Sequence, residues 1–163
     1  MIPYLIAAAV FLLDRITKAI IKAKVSPWDA HHIIPGFFNI VHAENPGAAF
    51  GLLADSSGAW RNVFLIGLSG TVMLFIAHTL WKADGSLLLR TGLALVLGGA
   101  IGNLFDRVVH GTVTDFVEVY MGTHYFPAFN VADSAISVGA GLLLIDMWRT
   151  RHSKLERPSL DVS

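Results

Sequence analysis

Two aspartates and several neighbouring amide and arginine side chains are the residues of this chain that could do chemistry. The stretch GNLFDRVVHGTVTDF, residues 102–116, follows directly on an apolar run, and Asp133 lies 18 positions after Asp115. The polar members of the stretch include Asn103, Asp106, Arg107 and Asp115. An ionisable group near hydrocarbon costs free energy, so each such group needs a charged partner, contact with water or a functional role. Two carboxylates in a site of low dielectric cannot both ionise easily, so one keeps a proton as a general acid and the other acts as a base.

The composition of the whole chain places these groups in or near a membrane. Of its 163 residues, 54% are hydrophobic and 15% are charged, and the mean hydropathy is +0.60. A soluble domain carries about 25% charged residues. The net charge of zero removes any argument for nucleic-acid binding, and the lack of cysteine excludes disulfides and cysteine-based metal sites. No positive segment precedes the apolar N-terminus and no small-residue cleavage signal follows it, which favours a retained membrane helix.

Four apolar windows are long enough to cross a membrane as helices, since a span needs about 20 mostly apolar residues. They cover residues 2–23, 60–81, 87–106 and 130–148. Lysine and arginine concentrate in the tail and around the connection between the second and third windows, which predicts that both regions are cytoplasmic. The N-terminus is then cytoplasmic too, and the segments 24–59 and 107–129 lie outside. Residues 1–150 form a single membrane domain, and residues 151–163 form a flexible cytoplasmic tail.

The outer segments contain more than simple linkers. HHIIPGFFNIVHAENPGAAFG mixes β-branched and aromatic residues with Pro-Gly turn signals at 35–36 and 46–47, which predicts short strands. Small residues would let the third and fourth helices approach closely; they are Gly98, Gly99, Gly102, Gly139 and Gly141. The predicted fold class is therefore an integral membrane protein, mainly α, with four spans and short outer strands.

This topology brings the two aspartates to one membrane face. The third helix runs outward, so Asn103 and Arg107 sit at its outer end and Asp115 follows in the outer segment. The fourth helix runs inward and carries Asp133 in its first turn. At 1.5 Å per residue, Asp14 lies about 18 Å along the first helix, in its outer half as well. The general acid and general base that peptide hydrolysis requires could therefore meet at this level.

Each of these features also has a purely structural interpretation. Asp14 and Lys18 are spaced i,i+4 with the acid first, as in a helix ion pair. Asn130 and Asp133 fit a helix N-cap followed by an acid at N3. The other two structural interpretations are a turn at residues 45–47 and an outward-pointing interfacial anchor at Arg107.

Other functional classes depend on weaker patterns. GLSG at 67–70 matches an intramembrane serine-protease motif, but His78 lies about 13.5 Å from Ser69 along the same helix, too far for a hydrogen bond. Three histidines, His31, His32 and His42, occur near Glu44, but their spacing fits no usual metal site.

A small transporter or channel subunit with an acid-lined path is the main alternative, because buried acids also mark ion pathways. Against it, the polar residues cluster at one level and do not form a track across the membrane. A membrane scaffold with structural ion pairs would explain Asp14 and Lys18, but it would not explain why Asp115 and Asp133 converge.

At five stretches the chain closely resembles the lipoprotein signal peptidase family, the bacterial signal peptidase II. The stretches are DRITK (14–18), NPGAAFG (45–51), GGAIGNLFDR (98–107), GTVTDF (111–116) and FNVADS (129–134). They occur in the family's order and spacing from the first helix to the fourth. Residues after about 150 lie outside the resemblance.

The resemblance implies an aspartic endopeptidase of the bacterial cytoplasmic membrane, with four helices, a small extracytoplasmic β-cradle and a periplasmic loop over the site. Its substrate would be a diacylglyceryl-modified prolipoprotein, cut just before the lipidated cysteine to release the signal peptide. By motif, Asp115 and Asp133 correspond to the catalytic pair. The residues that correspond to substrate-binding or site-supporting groups are Asp14, Lys18, Asn45, Gly47, Asn103, Arg107 and Asn130.

The resemblance also sets expectations for partners and motion. It implies no metal and no organic cofactor, contact with membrane lipid, and inhibition by globomycin-type peptides. We further expect the segment 45–51 and the loop 107–129 to close over the site, with Gly47 and Gly51 letting the backbone pass close to the substrate.

Overall fold

A computed structural model describes residues 1–27, 29–47 and 59–155 of the chain. Within these ranges the protein consists of four long helices and a small antiparallel sheet. The helices are α1 (Ile2–Lys24), α2 (Ala59–Lys82), α3 (Leu87–His110) and α4 (Val131–Leu155). The strands are β1 (Ala30–Ile34), β2 (Phe38–Asn45), β3 (Val113–Met121) and β4 (His124–Tyr125). The prediction of a mainly helical protein with short strands in the outer segments is confirmed.

Three of the helices are long and apolar enough to cross a membrane. These spans are Trp60–Lys82, Leu87–His110 and Val131–His152. The remaining helix, α1, has 23 residues, but Asp14, Arg15 and Lys18 fall within its length. Because of these charged residues, α1 is not among the helices that are apolar enough to cross a membrane by composition alone.

Two helices continue beyond their predicted ends. The third window was expected to end at residue 106, but α3 continues to His110, where Gly111 adopts a left-handed conformation (φ 77°) and donates its N–H to the carbonyl of Arg107. A glycine in this conformation is a common helix terminator, and His-Gly at 110–111 carried that signal in the sequence. Similarly, α4 continues to Leu155 and not only to residue 148, so the start of the expected flexible tail is helical.

The central helix of the bundle is α3, which contacts each of the other three. At Gly99 the backbones of α3 and α4 come so close that an added Cβ would lie 2.4 Å from the carbonyl oxygen of Ala132. Gly92 and Gly139 form a second close approach between the same helices. Glycine-mediated packing of α3 on α4 is thus confirmed at these positions.

The remaining three glycines named from the sequence differ from Gly99 and Gly139 in the groups that surround them. Gly98 faces α1, because an added Cβ would lie 2.6 Å from the carbonyl oxygen of Ala7. Gly102 faces both helices, because an added Cβ would lie 2.6 Å from Asp14 Oδ2 of α1 and 3.4 Å from the Cβ of Ala132 of α4. Gly141 has open space on its exposed side, so its assignment to the α3–α4 contact was wrong.

The sheet and the start of α4 are joined through β3. The strand order is β1-β2-β3-β4, and β2 pairs with β3 so that Ala43 lies opposite Asp115. The backbone of Phe129, just before α4, exchanges hydrogen bonds with Val117 at 2.8 and 3.0 Å. This bridge holds the first turn of α4 beside β3, and it explains how two aspartates far apart in the sequence come together.

Candidate active site

Asp115 lies near the start of β3, buried between two asparagine side chains. It is only 3% exposed. Asn45, the last residue of β2, donates to its Oδ2 at 3.1 Å, and Asn130 donates to its Oδ1 at 2.8 Å. Both contacts come from short amide side chains, which fix the carboxylate without neutralising its charge.

Asp133 lies in the first turn of α4, as the sequence predicted. Asn103 Nδ2 donates to its Oδ1 at 2.8 Å, and the backbone N–H of Asn130 donates to its Oδ2 at 3.3 Å. The backbone N–H of Asp133 in turn donates to Asn130 Oδ1 at 2.9 Å. This reciprocal pair is a capping box, so the structural interpretation of these two residues is correct.

The capping residue Asn130 also reaches the other aspartate. Its side chain is fully buried, and Nδ2 lies within hydrogen-bond distance of Asp115 Oδ1, Asn103 Oδ1 and the Thr114 carbonyl. Asn130 is therefore in direct contact with both carboxylates. Capping alone does not account for these contacts.

A buried lysine supports the site from behind. Lys18 is fully buried, and its Nζ lies 2.9 Å from Asp14 Oδ2, 2.8 Å from Asp106 Oδ2 and 3.1 Å from Asn103 Oδ1. Both carboxylate contacts are ion pairs. Asp14 Oδ1 accepts the backbone N–H of Ala132 in α4 at 3.1 Å. The network thus ties α1 and α3 to the helix that carries Asp133.

Sequence reasoning assigned no role to Asp106 and overlooked Arg15. Asp106 is fully buried, pairs with Lys18 and accepts a hydrogen bond from Arg15, whose guanidinium also lies over the ring of Phe105. The available signal was the position of Asp106 on α3, three residues after Asn103 and hence on the same helix face.

Arg107 points into the site and does not extend outward as an interfacial anchor. Its Nη2 donates to the carbonyl of Gly47 at 3.2 Å, and its Nη1 lies 3.5 Å from the carbonyl of Asn103. Gly47 is buried and donates its N–H to Asn45 Oδ1 at 2.9 Å, so the predicted turn after β2 is present. Gly51, the other glycine of the expected clamp, lies outside the described residues.

One cavity of about 700 Å³ contains both aspartates on its wall. Its polar side is formed by Asn45, Asn103, Arg107, Asp115 and Asp133. Apolar residues of α2 and α4 also line the cavity, among them Leu65, Leu68, Val72, Ile136 and Val138. The described lining does not include Asp14, Lys18, Gly47 or Asn130, so these four predicted site residues support the wall from outside it.

The surroundings of Asp115 favour its protonated form. Burial is the larger cause and the nearby charge of Asp133 the second, and together they raise the pKa of Asp115 from 3.8 to about 7. At neutral pH the two carboxylates can therefore share one proton. A pair in this state contains both a base that can activate water and an acid that can protonate a leaving group.

The competing sites suggested by the sequence are not assembled in the described parts of the chain. No group of three or more histidine, aspartate or glutamate side chains there is arranged to hold a metal ion. His42 and Glu44 do touch, at 3.1 Å, but His32 bonds to Asn39 instead. Ser69 lines the cavity, yet no histidine is among the described lining residues.

Comparison with known proteins shows the family to which the chain belongs. A family model described as signal peptidase (SPase) II matches residues 6–149. A lipoprotein signal peptidase from Solibacter usitatus is 51% identical over 151 residues, which cover 91% of both chains. The lipoprotein signal peptidase of Pseudomonas aeruginosa strain PAO1 is 46% identical over 155 residues, covering 93% of this chain and 91% of that protein.

Solved structures show the same overall fold. A bacterial membrane enzyme determined by the in meso method at 2.3 Å resolution superposes with a TM-score of 0.82 at 30% identity, covering 99% of this chain and 94% of that one. A second, at 1.9 Å resolution, gives a TM-score of 0.77 at 32% identity, covering 89% of this chain and 91% of that one.

Proposed function

The chain belongs to the signal peptidase II family, and from that premise we propose that it is an aspartic endopeptidase whose catalytic pair is Asp115 and Asp133. As a family member it is a membrane peptidase that removes signal peptides from prolipoproteins. The observation that carries the catalytic assignment is that both carboxylates line one cavity and are joined through Asn130.

The proposed reaction uses one proton held by the pair. The ionised aspartate takes a proton from water, and the resulting hydroxide attacks the carbonyl carbon of the residue before the cysteine. The protonated aspartate polarises the carbonyl oxygen and then supplies the proton that the leaving amine of the cysteine requires. The peptide bond breaks, a carboxylic acid and an amine form, and the pair again holds one proton. Because the two groups titrate together, the roles belong to the pair and not to one named residue.

The polar groups around the pair suit this chemistry. Arg107 supplies a positive charge on the cavity wall next to the two carboxylates, where negative charge develops on the substrate carbonyl. Asn45 and Asn103 hold the carboxylates by hydrogen bonds but cannot themselves exchange a proton at neutral pH. The base and the acid are therefore the only groups of this wall that transfer protons in the proposed scheme.

We include α1 as a fourth membrane span, although it carries charged residues. Asp14 and Lys18 are fully buried and paired with each other, so they are withdrawn from the surface that faces lipid. Four spans place both termini in the cytoplasm, the sheet as a cradle on the periplasmic face of the cytoplasmic membrane, and the catalytic pair below it. The strand-containing loop before α4 then lies over the site.

The apolar wall of the cavity supports a lipid-bearing substrate. In this proposal the diacylglyceryl chains of the prolipoprotein stay in the membrane and hold its cysteine at the depth of the pair, with each buried methylene contributing about 0.8 kcal/mol. Globomycin-type peptides would inhibit by occupying the same cavity. An ion path, the alternative function, is not favoured, because the buried polar residues lie at one level.

Matched precursors test the lipid requirement. Purified protein is incubated with one prolipoprotein prepared with and without diacylglycerol, at equal concentration in the same lipid, and the products are identified by mass. We expect the lipidated precursor to lose its signal peptide and the unlipidated precursor to be cleaved very poorly, because its scissile bond is not held at the carboxylates. Equal rates would contradict lipid-anchored positioning.

A further inference from the structure

Glu44 lies one residue before Asn45 on β2, and the reaction scheme above does not use it. Its backbone pairs with Thr114 of β3, so it lies opposite the residue directly before Asp115. The next residue, Asn45, donates to the Asp115 carboxylate. Glu44 is therefore adjacent in both strands to groups that determine where Asp115 lies.

The carboxylate of Glu44 binds two threonine hydroxyl groups, one directly before β3 and one within it. Thr112 Oγ1 donates to Oε2 at 2.6 Å, and Thr114 Oγ1 donates to Oε1 at 3.2 Å. Thr114 is fully buried, and its carbonyl accepts a hydrogen bond from Asn130 at 3.3 Å. These bonds fix the backbone on the N-terminal side of Asp115 and connect it to the asparagine that contacts both aspartates.

The same carboxylate also reaches the end of α1. Lys22 Nζ lies 3.7 Å from Glu44 Oε1, and His42 Nε2 lies 3.1 Å from that oxygen. Because a carbonyl oxygen can only accept, Nδ1 of His42 donates to the carbonyl of Val25, the residue that caps α1, at 2.8 Å. Glu44 thereby joins β2 and β3 to the helix whose buried lysine supports the other half of the site.

Glu44 is ionised in these surroundings. Burial opposes its negative charge, but the hydrogen bonds from Thr112 and Thr114, the contact with His42 and the charge of Lys22 outweigh that effect and lower the pKa of Glu44. Hydrogen bonds to a charged acceptor are stronger than those between neutral groups. A carboxylate therefore holds the two threonines more firmly than an amide at the same position would.

We propose that Glu44 is a positioning residue for the catalytic pair, and that its carboxylate holds β2, β3 and the end of α1 in the arrangement that aligns Asp115 with Asp133. Glu44 is not among the described residues that line the cavity, so it acts without touching the substrate. The inference rests on the proposed catalytic role of Asp115.

Replacing Glu44 by alanine should reduce turnover more than substrate binding. A reacting group displaced by about 1 Å can cost about 100-fold in rate, so we expect Glu44→Ala to lower kcat by about 10- to 100-fold. KM should stay within about twofold, because the cavity wall keeps all its side chains. Glu44→Gln keeps one acceptor oxygen and should recover part of the lost kcat.

The pH profile distinguishes positioning from a general loss of stability. Burial is the main cause of the raised pKa of Asp115, and the hydrogen bonds from Asn45 and Asn130 oppose it. If Glu44→Ala loosens those bonds, the pKa of the pair rises further. The high-pH limb of kcat should then move to higher pH, an effect that a lower folded fraction alone would not produce.

Glu118→Ala is the matched control, since Glu118 is another carboxylate of this sheet and accepts a hydrogen bond from Asn39 at 2.8 Å. Wild type, Glu44→Ala, Glu44→Gln, Glu118→Ala and Asp115→Asn are assayed on diacylglyceryl-modified prolipoprotein across pH. The inference is supported if Glu44→Ala lowers kcat and moves the high-pH limb of its pH profile to higher pH, and Glu118→Ala does neither. If Glu44→Ala does not fold, Glu44→Gln decides by the same two readouts.

Two outcomes would overturn the inference, and the assay separates them. In the first outcome, Asp115→Asn is inactive, but the Glu44 variants either behave like Glu118→Ala or lose kcat with no shift in the high-pH limb of its pH profile. Only the positioning role of Glu44 then fails. If Asp115→Asn retains turnover, the catalytic assignment fails and the role of Glu44 fails with it.

Discussion

At the scale of single residues, the buried Asn130 contacts both carboxylates of the proposed pair. Its Nδ2 contacts Asp115, and its backbone N–H donates to Asp133. An amide side chain can hold a carboxylate but cannot take its proton. The proton of the pair therefore stays on the two carboxylates, where hydrolysis needs it.

The raised pKa of Asp115 makes stability depend on pH in a definite direction. Between 3.8 and about 7 the folded protein keeps a proton that the unfolded chain has released. Stability therefore falls as pH rises through this window, by up to roughly 4 kcal/mol, since one pKa unit corresponds to about 1.4 kcal/mol. We expect the melting temperature of wild type to fall relative to that of Asp115→Asn as pH rises from about 4 to about 7. Above about pH 7 the difference between the two melting temperatures should stay constant.

The measurement is a set of paired melting curves in one detergent. Titrating groups that do not interact with Asp115 contribute equally to both melting curves, so their effects cancel in the difference. A difference that does not change with pH, or that moves in favour of wild type as pH rises, would contradict the account of Asp115.

At the scale of secondary-structure elements, the site depends on how closely α4 packs against α3. Gly99 leaves no room for a side chain, because its added Cβ would lie 2.4 Å from the backbone of Ala132, one residue before Asp133. Gly141 lies on α4, and a Cβ added to it would meet open space. A side chain at Gly99 would therefore collide with α4, whereas one at Gly141 would contact nothing.

Gly99→Ala should push α4 away and displace Asp133 with it. Overpacking of this kind costs about 1–3 kcal/mol, so we expect a lower melting temperature together with a large loss of turnover. Gly141→Ala, the matched control, should change neither. Thermal unfolding and the cleavage assay measure both effects, and equal behaviour of the two variants would show that the close approach at Gly99 is not needed.

The sequence indicated the helices and the meeting of the aspartates for clear physical reasons. Apolar windows predict spans, and an outward helix followed by an inward one brings Asp115 and Asp133 to the same end. The end of α3 does not follow from hydropathy alone. Its last turn contains Arg107 and His110, so the apolar window stops before the helix does, and the helix ends at Gly111.

Contacts that depend on packing could not be predicted from the sequence. Lys18 and its i,i+4 partner Asp14 were expected to pair, and they do. The second carboxylate on Lys18, from Asp106, comes from another helix, and its presence depends on the rotation of α1 against α3. The β2–β3 register that places Glu44 beside Thr114 is likewise a result of the folded sheet and not of any local signal.

At the scale of the whole molecule, the proposed four spans place the sheet outside the cytoplasm and the α2–α3 connection inside. The chain has no cysteine, so a single introduced thiol reports on one position. We expect a membrane-impermeant maleimide to label His31→Cys, on the exposed strand β1, in cells whose outer membrane is permeabilised. Asp84→Cys, in the α2–α3 connection, should react only after the cells are lysed.

The two variants serve as controls for each other, because both positions are exposed in the folded protein. Labelling of Asp84→Cys in unlysed cells, or protection of His31→Cys, would contradict the orientation and would move the catalytic pair to the wrong face for an exported precursor.

The central claim concerns the catalytic pair, and isosteric replacement tests it most directly. Asn has nearly the size of Asp and keeps one acceptor oxygen, but it cannot exchange the proton that hydrolysis needs. Asp115→Asn and Asp133→Asn are purified beside Asp29→Asn, which alters an exposed aspartate of the outer segment. All three should insert into membranes and unfold at measurable temperatures.

The measurement is the release of the signal peptide from diacylglyceryl-modified prolipoprotein, followed by mass in a single assay. We expect Asp115→Asn and Asp133→Asn each to show no turnover, while Asp29→Asn cleaves at the wild-type rate. Substantial cleavage by either Asp115→Asn or Asp133→Asn, in folded protein, would contradict the assignment of these two carboxylates as the catalytic pair.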